Sequence, residues 1–269
     1  MKQLAKKYRI IDAHCHIYPD KIAAKASAST ADFYKMPSLF DGKISTLLER
    51  GSKAGIEHFV VQSVATSPKQ VSSINRFIAD AVSKSEGRFT GLGTLHPDSE
   101  DMAGDLAEII ALGLKGVKLH PDIQAVAIDD VRMYRIYELC QGRVPILMHT
   151  GDHRFDFSNP NRMMPILEKY PRLTVVGAHF GGWSVWDEAT EKLSKFDNFL
   201  VDCSSSLYAM SKEKARELIM TYGTERVLFG TDYPMWEIDT EIERFMAIDL
   251  TEKEREDILY NNAAKLFFE

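Results

Sequence analysis

The sequence predicts a (β/α)8 barrel, the α/β fold also called a TIM barrel, as one domain over residues 1–269, with room for slight distortion. Three observations predict it. Eight short, β-branched, nearly continuous apolar runs read as strands buried on both faces. Eight windows of helical periodicity alternate with them. No G-x-G-x-x-G follows the first run, as a doubly wound nucleotide-binding sheet would require. No repeat, low-complexity tract or Pro/Ser-rich linker divides the chain.

The elements follow in order. Strand one is 8–14 (YRIIDAH). The stretch 18–42 is too long for a plain connection, so it is expected to run over the barrel mouth as a lid or a subunit contact. A helix over 43–54 carries Ile44, Leu47 and Leu48 at helical spacing, and strand two is 57–64. A helix over 69–86 is marked by Val71, Ile74, Ile78 and Val82, and strand three is 89–95. A helix over 101–112 (Leu106, Ile109, Ile110) leads to strand four at 115–120. A helix over 130–141 leads to strand five at 144–149, and a helix over 161–169 to strand six at 173–179. A helix over 184–195 leads to strand seven at 198–204, and a helix over 211–222 to strand eight at 226–231. A helix over 251–267 closes the pattern.

Composition narrows the function. With 45% hydrophobic and 27% charged residues the chain can bury a core and is no disordered segment. A net charge of −6 argues against general binding to nucleic acid or an anionic membrane. No apolar run reaches the roughly 18 residues of a membrane span. The start, MKQLAKKYRIIDAHC, lacks the apolar stretch of a secretory signal. Three cysteines make no disulfide framework, which points to a reduced, cytoplasmic compartment.

The histidines carry the chemistry. Of eight, six fall at or just past a strand's C-terminal end: His14, His16, His96, His120, His149 and His179. In a barrel those ends meet at one mouth. Any one of these could be a hydrogen-bonded structural histidine; six at one rim argue for a shared site. Asp232, in VLFGTDYP, joins them, although a helix cap or a solvated carboxylate is the bland alternative. Side chains two apart on a strand share a face, so His14 and His16 in D-A-H-C-H present two imidazoles to one point, while Cys15 turns away as a packed thiol. A third imidazole and a carboxylate would complete a site for Zn, Mn, Fe or Co with a position left open for water.

Four motifs, IIDAHCH, MHTG, GAHFGG and FGTDYP, stand in order at the ends of strands one, five, six and eight. Together they resemble the amidohydrolase superfamily, and within it amidohydrolase family 2, which includes aminocarboxymuconate-semialdehyde decarboxylase and related metal-dependent hydrolases. The resemblance implies that His14, His16, His149 and Asp232 ligate a metal. It implies one divalent ion, zinc first, with a second possible. It also implies proton handling by Asp232 and His179. Strand four reads GLKGVKLHPD, where Lys118 and His120 share a face. Lys118 is read as a carboxylated bridge, a substrate-binding cation or a buried paired lysine; His120 is read as a substrate contact or auxiliary ligand. His153 and Arg154 are candidates for meeting an anionic small-molecule substrate, Arg154 as a carboxylate clamp, against a merely structured loop. Trp183, Tyr208 and Trp236 could stack on a planar substrate or simply pack the barrel top.

The first expectation is a hydrolase that uses metal-activated water on an amide, ester or lactone. The alternative is a metal-dependent non-oxidative decarboxylase of an unsaturated or aromatic carboxylic acid. A barrel that only binds a ligand is a third reading, disfavoured because His179 and Asp232 are both present. No nucleic-acid or membrane partner is expected; a homodimer is possible.

Overall fold

The computed structural model describes residues 7–268. The first six residues, part of the basic start read above against a secretory signal, lie outside the described residues, as does residue 269 of the expected domain. Among the described residues there are nine short strands: β1 Ile11–His16, β2 His58–Gln62, β3 Phe89–Gly91, β4 Gly93–Thr94, β5 Val117–Leu119, β6 Ile146–Met148, β7 Val175–Gly177, β8 Phe199–Asp202 and β9 Val227–Leu228. All pair in parallel, in the order β1-β2-β3 and then β4 through β9.

The ninth strand arises because one expected strand is divided. Residues 89–95 form β3 and β4 with Leu92 between them. Leu92 N–H donates to Val61 O at 2.9 Å, and Gly93 N–H to Gly116 O at 2.9 Å. The same strand therefore pairs with β2 through its first half and with β5 through its second. At the other edge, Ala13 N–H donates to Phe229 O (2.9 Å) and His16 N–H to Tyr233 O (2.7 Å). These bonds carry the pairing from the end of β9 back to β1, as barrel closure requires.

Alternation along the strands sorts the core. Ile11, Ala13, Val60, Leu92, Leu147, Val176 and Leu228 form an inner cluster, joined by Ala263 and Phe267 of the C-terminal helix Asn262–Phe267. Their neighbours Phe59, Val61, Val117, Met148, Val175 and Val201 turn outward into a second cluster with the helices. This two-layer burial is what near-continuous apolarity in the strands demands.

Helices differ from expectation in five places. The stretch 18–42 holds a full helix, Asp20–Tyr34, whose Ala-rich sequence has high helix propensity but little apolar periodicity. Short helices at Pro121–Gln124 and Ile238–Met246 also fall where none was expected. The helix expected over 251–267 is interrupted by a π-turn at Asp257–Asn261, and the one over 69–86 runs only from Val71 to Ser83. Among the described residues no helix is long and apolar enough to cross a membrane.

Candidate active site

Strand parity brings the polar side chains together. A register irregularity lies between Asp12 and Cys15. Before it, Ile11 and Ala13 occupy the inner cluster; after it, His14 and His16 line the cavity, while Cys15 packs on the helix side. β1 continues through His16, so both imidazoles stand on the strand itself. Gly230 lets this strand sit close: a Cβ there would lie 2.9 Å from the His14 Cβ. His179 and Asp232 both adopt positive φ, 61° and 58°. Non-glycine residues hold that conformation at a cost of about 1–2 kcal/mol, and such strain collects at functional sites.

Three donor atoms converge. His14 Nε2 and His16 Nε2 lie 3.1 Å apart. Asp232 Oδ1 lies 3.4 Å from the first and 3.5 Å from the second. Ligand atoms held at about 2.0–2.2 Å from one centre, at tetrahedral or octahedral angles, stand about 2.8–3.6 Å apart, so the spacing fits a divalent cation. The tautomer fits as well. Fully buried Asp202 accepts the Nδ1–H of His14 at 2.9 Å, which leaves the Nε2 lone pair facing the cavity. Burial, and then the charge of Lys118, hold His14 well below the usual imidazole range, so it is a neutral donor. Burial pushes the Asp232 carboxyl up; the Ser205 hydroxyl, which donates to Oδ2 at 2.5 Å, pulls the other way. Trp236 Nε1–H donates to Ser205 Oγ at 2.7 Å.

His149 does not join that triad. It stacks on His120, centroids 4.0 Å apart, and its Nε2 lies 3.6 Å from Asp122 Oδ2. His120, Asp122 and His149 thus form a neighbouring buried group across the same mouth. His179 stacks on His14 at 5.2 Å and donates its Nδ1–H to Ser204 O at 3.0 Å. Burial pushes His179 down to about 3, so its Nε2 carries a lone pair at neutral pH. Lys118 and His120 both line the cavity, as their shared parity requires, and Lys118 Nζ stands 3.2 Å from His14 Nε2.

Two candidates are displaced. His153 is exposed and hydrogen-bonds Ser184 Oγ through Nδ1 at 2.9 Å. Arg154 forks onto Asp152 (Nε 2.9 Å, Nη2 2.6 Å) and donates Nη1–H to Phe33 O at 2.7 Å. Neither residue lines the cavity, and three of the five guanidinium N–H groups are already committed within the protein. Of the aromatic candidates, Tyr208 and Trp236 stack on each other at 4.4 Å. His96, the remaining rim histidine, accepts the Asp98 N–H at 3.2 Å as a loop hydrogen bond.

Asp202, Asp122, Ser205 and Tyr34 escape a reading centred on histidines. Asp202 carried a usable signal: it is a carboxylate near the end of the expected strand 198–204, as Asp232 follows strand eight. Tyr34 carried none, because its helix was not expected. Replacing Asp202 with asparagine is expected to weaken divalent-metal binding roughly 10–100-fold, since the His179 and Ser204 N–H groups claim the amide oxygen and leave its NH2 toward His14 Nδ1, which reverses the tautomer. A metal titration of apo-protein reads this directly, and an unchanged affinity would rule the role out.

A parallel barrel with an imidazole–carboxylate donor set at its C-terminal rim defines a TIM-barrel enzyme of the metal-dependent kind. The chain belongs to the amidohydrolase family, whose model matches residues 11–268. It is 23% identical to a gamma-resorcylate decarboxylase of Polaromonas sp. strain JS666, covering 77% of this chain and 79% of that one. Among solved structures it is similar to an uncharacterised TIM-barrel protein from Bordetella bronchiseptica, with 23% identity, TM-score 0.81 and coverage of 96% and 98%. A dihydroxybenzoic acid decarboxylase from Polaromonas sp. JS666, solved with manganese and the inhibitor 2-nitroresorcinol, has 19% identity, TM-score 0.75 and coverage of 97% of each chain.

Proposed function

We propose that this chain is a metal-dependent non-oxidative decarboxylase of an aromatic or unsaturated carboxylic acid. The hydrolase expected first is the less supported reading, because the curated relative is a decarboxylase over most of both lengths. The observation that carries the proposal is the cavity, of about 680 Å³. Its floor holds the imidazoles, Lys118 and Asp232; its walls are Ile22, Phe33, Ile74, Phe77 and Met235. Apolar walls suit a planar hydrocarbon ring, and one buried cation on a polar floor suits its carboxylate.

A divalent cation held by His14, His16 and Asp232, with His149 alongside, would supply positive charge to the oxygens of the acid. Zinc and manganese are the metals to test first. The remaining work belongs to side chains. Lys118 pairs with the carboxylate. Asp232 is the one carboxyl among the lining residues described, so it is the group to take up the proton released by a substrate hydroxyl and deliver it to the ring carbon. The carbon–carboxylate bond then breaks, its electron pair restores the ring, and CO2 leaves. His179, its Nδ1–H tied to Ser204, presents Nε2 to a substrate hydroxyl.

Metal-loaded protein incubated with hydroxybenzoates and unsaturated acids is expected to release CO2 with one equivalent of decarboxylated product. Turnover of esters, amides or lactones, with no CO2 from any acid in the panel, would return the hydrolase reading.

A further inference from the structure

We propose that Tyr34 is a substrate-binding residue whose hydroxyl donates to an oxygen anion of the bound acid, and that Arg154 is the positioning residue that holds it there. The inference deepens the decarboxylase reading and rests on it for the nature of the ligand.

The helix Asp20–Tyr34 lies along the cavity, with Ile22, Ala26, Phe33 and Tyr34 among the lining residues. It stops at Tyr34 because Lys35 takes a left-handed conformation, φ 55°. The last residue of the helix is thereby set over the histidines, and Tyr34 Oη lies 2.6 Å from His120 Nε2.

The direction of that bond follows from the other nitrogen. His120 Nδ1 accepts the Ile123 N–H at 3.3 Å, so in the neutral ring the proton sits on Nε2. His120 therefore donates and Tyr34 Oη accepts. The phenolic proton remains free, and the nearest protein acceptor for it is a His149 ring nitrogen at a long 3.3 Å. A donor already polarised by an N–H behind it, and open to the cavity, is suited to an anionic oxygen.

Arg154 explains how a helix terminus can hold such a group in place. Its Nη1 donates to the carbonyl of Phe33, the residue before Tyr34, at 2.7 Å. The guanidinium lies 5.3 Å from the Phe33 ring centroid and 5.4 Å from that of Tyr34. Asp152, fully buried, fixes the cation from behind through its fork. Phe33 stacks on Phe155 at 5.3 Å, and Trp183 meets Tyr34 edge-on at 5.2 Å. The residue expected to clamp a substrate carboxylate thus clamps the element that carries the substrate's donor.

The test measures binding of 2-hydroxybenzoate to metal-loaded protein by calorimetry, with CO2 release from the acid panel assayed separately. Tyr34→Phe is expected to weaken binding roughly tenfold or more, as removal of a hydrogen bond to a charged group does. Arg154→Ala is expected to weaken binding in the wild-type background but to add little to Tyr34→Phe, a coupling that a merely structural role would not produce. Equal binding by wild type and Tyr34→Phe overturns the proposal and leaves the decarboxylase reading standing on CO2 release. Weakened binding without CO2 release from any acid sustains Tyr34 and overturns the decarboxylase reading. No binding by the wild type overturns both. Additive losses would remove Arg154 from the proposal.

Discussion

Asp232→Asn is expected to lower turnover roughly 10³-fold or more while the fold survives. The substitution keeps size and shape, so the 3.4 and 3.5 Å approaches to His14 and His16 remain sterically possible. It removes a proposed metal-ligating oxygen and the proposed acid in one step. Acid catalysis alone is worth roughly 10²–10⁴-fold, and the lost ligand adds to it. The Ser205 hydroxyl that donates to Oδ2 can still meet an amide oxygen, which limits the structural penalty. Three measurements decide the matter: CO2 release, metal per chain, and the thermal unfolding midpoint. A variant within tenfold of wild type would remove Asp232 from the mechanism. A variant that fails to fold would be replaced by Asp232→Glu, which retains the acid at a shifted position and should keep metal while losing rate.

The barrel was legible because its strands are buried on both faces, and that demand leaves apolar runs at regular spacing. VVQ at 60–62 and PILM at 145–148 can be read without tertiary information. What the runs do not record is pairing. The division at Leu92 reflects a strand that changes partners, which no local pattern encodes. His14 and His16 were legible as a pair because strand parity puts them on one face, and Asp232 by its place just past the last strand; that the pair faces inward depends on the irregularity between Asp12 and Cys15, which no local pattern records. The place of His149 beside Asp122 depends on the short helix Pro121–Gln124 that follows β5, and parity says nothing of that. Arg154 shows the limit most clearly. A loop arginine at an enzyme rim reads as an anion clamp, yet its neighbour two residues earlier, Asp152, satisfies the same fork. Nothing local distinguishes the two outcomes, because the deciding partner, Phe33 O, lies 121 residues away in a helix with weak periodicity.

With Arg154 engaged elsewhere, Lys118 is the buried lining cation proposed to bind the acid. Its ammonium is buried and stands 3.2 Å from His14 Nε2. Burial lowers its affinity for a proton, and the charges of Asp202 and Asp232 pull it back up. A buried cation without an ideal partner costs free energy that a bound carboxylate would recover. Lys118→Met keeps the aliphatic stem and deletes the charge. Breaking a buried pair costs about 3–5 kcal/mol, so kcat/KM should fall roughly 10²–10³-fold or more. The loss should appear mainly as weaker acid binding, with metal content near that of wild type. Arg at this position should not rescue it, because a planar fork does not fit where a point charge sits beside an imidazole. The opposite split would be equally informative. Unchanged acid affinity together with lost metal would make Lys118 part of the metal site, as a carboxylated lysine would be, and the substrate carboxylate would need another partner.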